Sequence, residues 1–372
     1  MRGVPVENSV ARPLRPAVPT SLPAPGSLGG LLVGKVLVAL LLFAPLLIAR
    51  PARASADPAA GAEVTLLVHG GTVITMDAAG TVVANGAVAL AGGRIEAVGD
   101  AARLAAAYPA APRLDAAGGI IMPGLINTHT HAPMVLFRGL ADDLELMEWL
   151  EGHIFPAEAR HVDEDFVRWG TRLACLEMLR GGTTTIVDMY YFEDAIAEEA
   201  DRCGLRAVLG ETLIDFPAPD HRTWDDAIGY ARNFVERWRG HPRITPAIAP
   251  HSTYTVSPDH LAAAHALATE LDVPMLIHLA EDRAEIARVT ERTGKSSIDY
   301  LDSLGLLDSR VVAAHVVWPS ASEIELLARR DFNLVYPGQE TYAILPAPPP
   351  PVSLPATWPF WPVGRLLDDA GT

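Results

Sequence analysis

His129-Thr130-His131 sets two imidazoles two residues apart, directly after the apolar run Met122-Pro123-Gly124-Leu125-Ile126-Asn127. A Pro-Gly turn leads that run in. On a β-strand successive side chains alternate faces, so residues two apart point the same way. His129 and His131 therefore aim two imidazoles at one point, as metal coordination requires. An isolated His-x-His reads equally well as two histidines of a surface strand. The elements that follow decide between the two readings.

After Gly124 the chain alternates strand with helix. Thr183 to Val187 is a β-branched strand, and Leu205 to Leu209, Ile244 to Ile248, Val273 to Ile277 and Val311 to Ala314 continue the series. The segments between them have helical length, and Ser257-Pro258 opens one with an N-cap and a proline at its first position. Such alternation implies parallel strands, hence an α/β sheet or barrel. His129 and His131 close the first strand, His251 follows the fourth, His278 ends the fifth and His315 ends the sixth. In a (β/α)8 barrel those ends surround one mouth, where catalytic residues gather. Scattered core histidines would not all fall on that edge.

Four imidazoles, His129, His131, His278 and His315, can supply neutral nitrogen ligands to one divalent ion, Zn2+ or Fe2+. A cation held there acidifies a bound water and makes it a nucleophile for an electron-poor carbon. Glu281, three residues after His278, is placed to shuttle protons without being a ligand and to protonate a leaving nitrogen. The bland reading of Glu281 is an exposed acid at a helix start. Only Lys35 and Lys295 occur, and neither ends the fourth strand, so no carbamylated lysine is available to bridge two metals. One metal per site follows.

These residues resemble the amidohydrolase superfamily, and within it the methylthioadenosine/S-adenosylhomocysteine deaminase and chlorohydrolase-like group. The resemblance runs from about Val64 to about Ala328. It is carried by Pro123 to Met134, by Gly181 to Met189, by Ala249-Pro250-His251-Ser252, by His278-Leu279-Ala280-Glu281 and by Ala314 to Trp318. It implies a (β/α)8 TIM-type barrel beside a small β-sandwich domain. It also implies hydrolytic removal of an amino group, or sometimes a halide, from a purine or triazine-like ring. By position, His129, His131 and His278 look like metal ligands, with His315 beside the metal as a further ligand or a holder of water or substrate. His251 resembles the family's substrate-contacting histidine. Trp149 and Glu158 align with residues that line the nucleoside pocket; the plain alternatives are packing and a solvated helix acid. His153, His161, His260 and His265 match nothing and read as surface or structural.

Departures from the family pattern concern the end of the chain and the substrate. The resemblance implies an Asp at the end of an eighth strand, in a Gly-Thr-Asp-Gly setting, and none is present; Asp331, Asp368 and Asp369 have other surroundings. Pro337 to Pro362 is proline-rich and cannot hold two further strand–helix units. Pro362 to Gly371 then resembles the helix that should come next. A truncation, or a reading-frame slip after about Arg330 that is later restored, accounts for both. At the end of the third strand, where members accepting a carboxylate often carry Arg, this chain has Gly210-Glu211. Glu211 is expected to repel a carboxylate, with Arg222 nearby as compensation.

The 372 residues carry a formal charge of −16 and are 49% hydrophobic. That balance supports a buried core and argues against nucleic acid as a partner. A small heterocycle is the expected partner, with no stable membrane span, and a homo-oligomer is left open. Cys175 and Cys203 lack Cys-x-x-Cys spacing and read as buried free thiols, a disulfide being left open. Residues 1–56 read as an export leader. Arg2, Arg12, Arg15 and Lys35 precede the apolar run Val36 to Ala49, and Ala54-Ser55-Ala56 offers a cleavage site. A genuine leader means a periplasmic or secreted protein; otherwise the protein is cytoplasmic, or held by an uncleaved anchor. The expected organisation is leader (1–56), small β domain (57–123), partial barrel (124–336) and proline-rich aberrant tail (337–372). The rival reading is a catalytically dead truncated amidohydrolase or a Pro-rich interaction protein. Within the enzymes the rival is a triazine chlorohydrolase.

Overall fold

The computed structural model describes residues 64–332. The expected export leader (1–56) and the expected proline-rich tail (337–372) lie outside the described residues. The N-terminal part holds β1 (Leu66–Ile74), β2 (Val82–Ala91), β3 (Arg94–Asp100), α1 (Ala101–Ala107), β4 (Arg113–Asp115) and β5 (Ile120–Ile121). They form one sheet in the order β3-β2-β1-β4, with β5 also on β1. Leu67, Ala87, Ala89 and Leu104 make its small core. Gly92-Gly93 forms the β2–β3 turn. Gly70-Gly71 does not end β1; the strand runs through both with register shifts against β2. Gly70 takes a φ of 76° and lies so close to Asp115 that a Cβ would meet its carboxylate at 2.1 Å. The pair is a bulge rather than a turn.

From Gly124 onward the expected alternation is present. The elements are β6 (Leu125–Thr130), α2 (Leu146–Trp149), α3 (Phe155–His161), α4 (Glu164–Arg180), β7 (Thr183–Tyr190), α5 (Glu193–Cys203) and β8 (Arg206–Leu213). There follow α6 (Trp224–Trp238), β9 (Ile244–Pro250), α7 (Pro258–Leu271), β10 (Met275–Leu279), α8 (Arg283–Thr293), α9 (Ser297–Ser303), β11 (Val311–His315) and α10 (Ala321–Phe332). Helix starts follow local chemistry. Asp163 accepts the Phe166 N–H, Asp282 accepts the Ala284 N–H, and Thr223 with Asp226 forms a capping box. Ser257 holds the N-cap position of α7, but its hydroxyl makes no capping bond; its N–H donates to Asp215 Oδ2 at 2.8 Å. Cys175 is buried in α4, whereas Cys203, expected to be buried, is only partly so; both are free thiols. Asp331 falls within α10.

The six strands β6 to β11 pair in parallel and in chain order. β8, β9 and β10 are buried along nearly their whole length, as in a sheet covered on both faces. The main core packs Ile186, Leu209, Phe234 and Ile248 between strands and helices. Flat, such a sheet would hold its edge strands about 24 Å apart at the usual spacing. Yet His129 on edge strand β6 and His315 on edge strand β11 have ring centroids 4.8 Å apart. The sheet is therefore rolled, and it brings the C-terminal ends of its strands to one mouth. This is the barrel curvature of a TIM-type α/β fold with six strands among the described residues. Leu125 and Ile126 on β6 and Val312 on β11 are exposed along the edges.

The turn after His131, Ala132–Phe137, packs on α4 at Gly170, where a Cβ would stand 2.4 Å from the Pro133 carbonyl oxygen. Only glycine fits there without displacing the backbone that follows the histidine pair. Gly170→Ala is expected to cost about 1–3 kcal/mol by overpacking, read as a lower urea midpoint at an unchanged slope. An unchanged midpoint would mean the turn yields freely.

Candidate active site

Strand pairing and strand ends place the histidines. His129 lies on β6, and His131 stands one residue past that strand rather than on it. His278 is the penultimate residue of β10, and His315 closes β11. Ring centroids of His129 lie 4.9 Å from His131 and 5.0 Å from His278. One ring nitrogen each from His129, His278 and His315 lies within 4.8 Å of the others. His131 Nε2 stands 3.3 Å from His278 Nε2.

The tautomers follow from the backbone. His131 Nδ1 is 2.5 Å from the Met189 carbonyl, and His278 Nδ1 is 2.9 Å from the His251 carbonyl. A carbonyl only accepts, so each Nδ1 carries the hydrogen and donates it. Burial holds the pKa of both rings below the ordinary histidine value. Each Nε2 is therefore a bare lone pair, and the two face each other at 3.3 Å. Two acceptors that close repel unless a cation lies beside both, so the donor set fits a metal. Burial, then His131 and His315, brings His129 down to about 3; burial also lowers His315.

The chain after β11 is held in an uncommon conformation. His315 and Val316 have φ of 71° and 48°, the latter an outlier for a β-branched residue. The N–H groups of Val316 and Val317 donate to the carbonyls of Leu279 and Ala280, both at 2.9 Å. The sixth strand's end is thus tied to the fifth's, and His315 is held beside His278 at a centroid distance of 5.3 Å.

Glu281 Oε2 lies 3.5 Å from His315 Nε2. The turn carrying it is cradled by buried Glu285, which accepts the N–H groups of Ala280 and Glu281 at 3.0 and 2.7 Å. Burial, then the charges of Glu285 and Asp282, push Glu281 up to about 7. Glu158 is not a solvated helix acid; it is buried on α3, and burial pushes it up to about 7 against the opposing effect of the Tyr190 hydroxyl. His251 is brought to about 3 by burial, then by His131, His129 and His315, and its Nδ1 lies 3.0 Å from Thr255 Oγ1.

All eight residues singled out in the sequence, His129, His131, Trp149, Glu158, His251, His278, Glu281 and His315, line one cavity of about 290 Å³. Phe155, Tyr190, Tyr191 and Tyr254 share the lining and had no sequence signal. Glu211 is a correction. It does not line the cavity; it is fully buried and its pKa is pushed well up by burial, then by Asp220. It is therefore placed neither to meet nor to repel a substrate carboxylate. Arg222 is exposed. Glu211 belongs to a buried trio with Asp220 and His221, within 4.8 Å of one another. There Asp220 accepts the Phe192 N–H at 2.8 Å and lies 2.8 Å from His221 Nδ1. The structural reading holds for His260, stacked on Trp224 at 3.9 Å, and for His265, which pairs with Asp308.

Residues 120–345, more than half the chain, match the amidohydrolase family. The chain belongs to that family. Residues 86–111 of this amidohydrolase also match a bacterial imidazolonepropionase-like composite domain. A 5-methylthioadenosine/S-adenosylhomocysteine deaminase of Syntrophobacter fumaroxidans is 48% identical over 271 residues, 73% of this chain and 62% of that protein. An adenosine deaminase of Xanthomonas campestris, solved with bound zinc, superposes with a TM-score of 0.66 at 37% identity, covering 72% of this chain and 61% of that one. The E. coli guanine deaminase gives 0.65 at 28% identity, covering 71% and 65%. This amidohydrolase chain spans 62% of the length of the first of these relatives.

Glu158 gives a pH prediction. Folding raises its pKa from 4.5 to about 7, so the folded state keeps a proton that the unfolded chain releases between those values. Its contribution is full below pH 4.5 and falls as pH rises to 7, by roughly 3 kcal/mol. Glu158→Gln is expected to flatten that part of the profile in urea unfolding from pH 4.5 to 8. Parallel profiles for the two proteins would refute this.

Proposed function

We propose that the cavity catalyses hydrolytic deamination of an aminated heterocycle, with an adenine nucleoside as the preferred class. A single divalent ion, zinc, would be held by His129, His131, His278 and His315. The observation that carries this reading is the pair of bare Nε2 lone pairs 3.3 Å apart on His131 and His278. Neutral imidazoles suit zinc, and the bound zinc of the Xanthomonas relative supports the choice. When bound, the ion supplies a Lewis acid that makes water a nucleophile near neutral pH.

The remaining chemistry belongs to side chains. Glu281, at about 7, accepts a proton and returns it near neutrality. Its neighbour His315, 3.5 Å away, fixes the carboxyl's direction. Trp149 and Phe155 offer flat apolar faces to a ring. Neutral His251 offers one hydrogen-bonding nitrogen to a ring atom. Glu158, protonated or ionised near pH 7, meets hydroxyl groups as donor or acceptor. An amino group must be protonated to leave, whereas a halide leaves as an anion. A carboxyl beside the site, Glu281, can carry that proton, which favours deamination over dechlorination. The name of the Syntrophobacter relative supports an adenine nucleoside.

Zinc-loaded protein is expected to contain one metal per chain and to release ammonia from 5′-methylthioadenosine. Glu281→Gln should keep the metal and lose about 10²–10⁴ of the rate. Stoichiometric zinc without ammonia release would replace this reading with a catalytically dead amidohydrolase, and absence of zinc would remove the site altogether.

A further inference from the structure

Behind the cavity wall lies a pair of buried acids that the proposed chemistry does not use. Asp188 and Glu193 are both fully buried and do not line the cavity. Each takes a backbone N–H beside the histidine site. Ala132 N–H donates to Asp188 Oδ2 at 2.6 Å, and Tyr190 N–H donates to Glu193 Oε1 at 2.9 Å. Between the two anchored points, the Met189 carbonyl accepts the Nδ1–H of His131 at 2.5 Å. The pairing of β6 with β7 sets Thr130 opposite Asp188, so the acid stands level with the histidine pair.

We propose that Asp188, backed by Glu193, is a positioning residue for the metal: Asp188 holds the backbone on the His131 side of the His131–Met189 hydrogen bond, Glu193 holds it on the Met189 side, and together they form a clamp that fixes the direction of the His131 Nε2 lone pair. This rests on the metal-centre reading. Ala132 begins the tight turn after His131, where its N–H has no partner within the turn. Without a buried acceptor that N–H is left unsatisfied, and His131, one residue earlier, loses its backbone reference. The Met189 carbonyl alone sets the tautomer but not where the ring sits. The clamp supplies the second coordinate.

The variant Asp188→Leu, branched at the same carbon but larger, removes the acceptor, while the near-isosteric Asp188→Asn keeps an oxygen for Ala132. Zinc affinity, measured by competition with a chromophoric chelator on folded protein, is expected within about threefold of wild type for Asp188→Asn. It should fall roughly 10–100-fold for Asp188→Leu. In a His131→Ala background Asp188→Leu should cause no further loss, since it acts through that ring. If Asp188→Leu does not fold, Ala132→Pro removes the donor instead at a helix-start position that tolerates proline, and the same loss is expected. Wild-type affinity in Asp188→Leu, or in Ala132→Pro where that variant replaces it, overturns the clamp. So do additive losses of a merely structural residue in the double variant. A wild-type protein that binds no zinc overturns the metal-centre reading and the clamp with it, whereas zinc bound equally by wild type and Asp188→Leu overturns the clamp alone.

Discussion

Two imidazole nitrogens with no hydrogen on either face each other across 3.3 Å, His131 against His278. The hydrogen of each ring is already committed to a backbone carbonyl. Burial denies both rings a second proton. Such an arrangement is repulsive by itself and becomes favourable with a shared cation. The rolled sheet, the tied end of β11 and the glycine contact under the first turn all serve to hold it.

The electrostatics around this point are consistent with one another. The imidazoles are held neutral by burial, and two carboxyls at the mouth, Glu158 and Glu281, are pushed up to about 7. A cavity that has shed charge in both directions suits a neutral ring and one cation better than an ionic substrate. Behind it, buried acids answer backbone N–H groups rather than arginines. Asp188 takes Ala132, Glu193 takes Tyr190, and Glu211 takes the Glu193 N–H at 3.1 Å.

Much of the fold was legible because β-branched and apolar runs mark buried parallel strands, and all five strands expected after the first are present, each with a longer C-terminal end. The histidines were legible because each ends or follows such a strand. What escaped was set by tertiary contact. Gly70-Gly71 has turn composition, yet the approach of Asp115 makes it a bulge. Glu211 has the strand-end position of a substrate-facing residue, but its side chain turns into the cluster with Asp220 and His221 instead. Asp188 has a sequence signal of its own, as the lone carboxylate in the β-branched strand Thr183 to Tyr190, where burial requires a partner. Its partner, the Ala132 N–H, is 56 residues away and no local pattern reveals it.

The most direct test of the converging nitrogens is X-ray absorption on zinc-loaded protein. The account predicts a first shell with three or four imidazole nitrogens at about 2.0–2.1 Å, with the multiple scattering of the rings. A shell without imidazole, or zinc that washes away at stoichiometric loading, would contradict it.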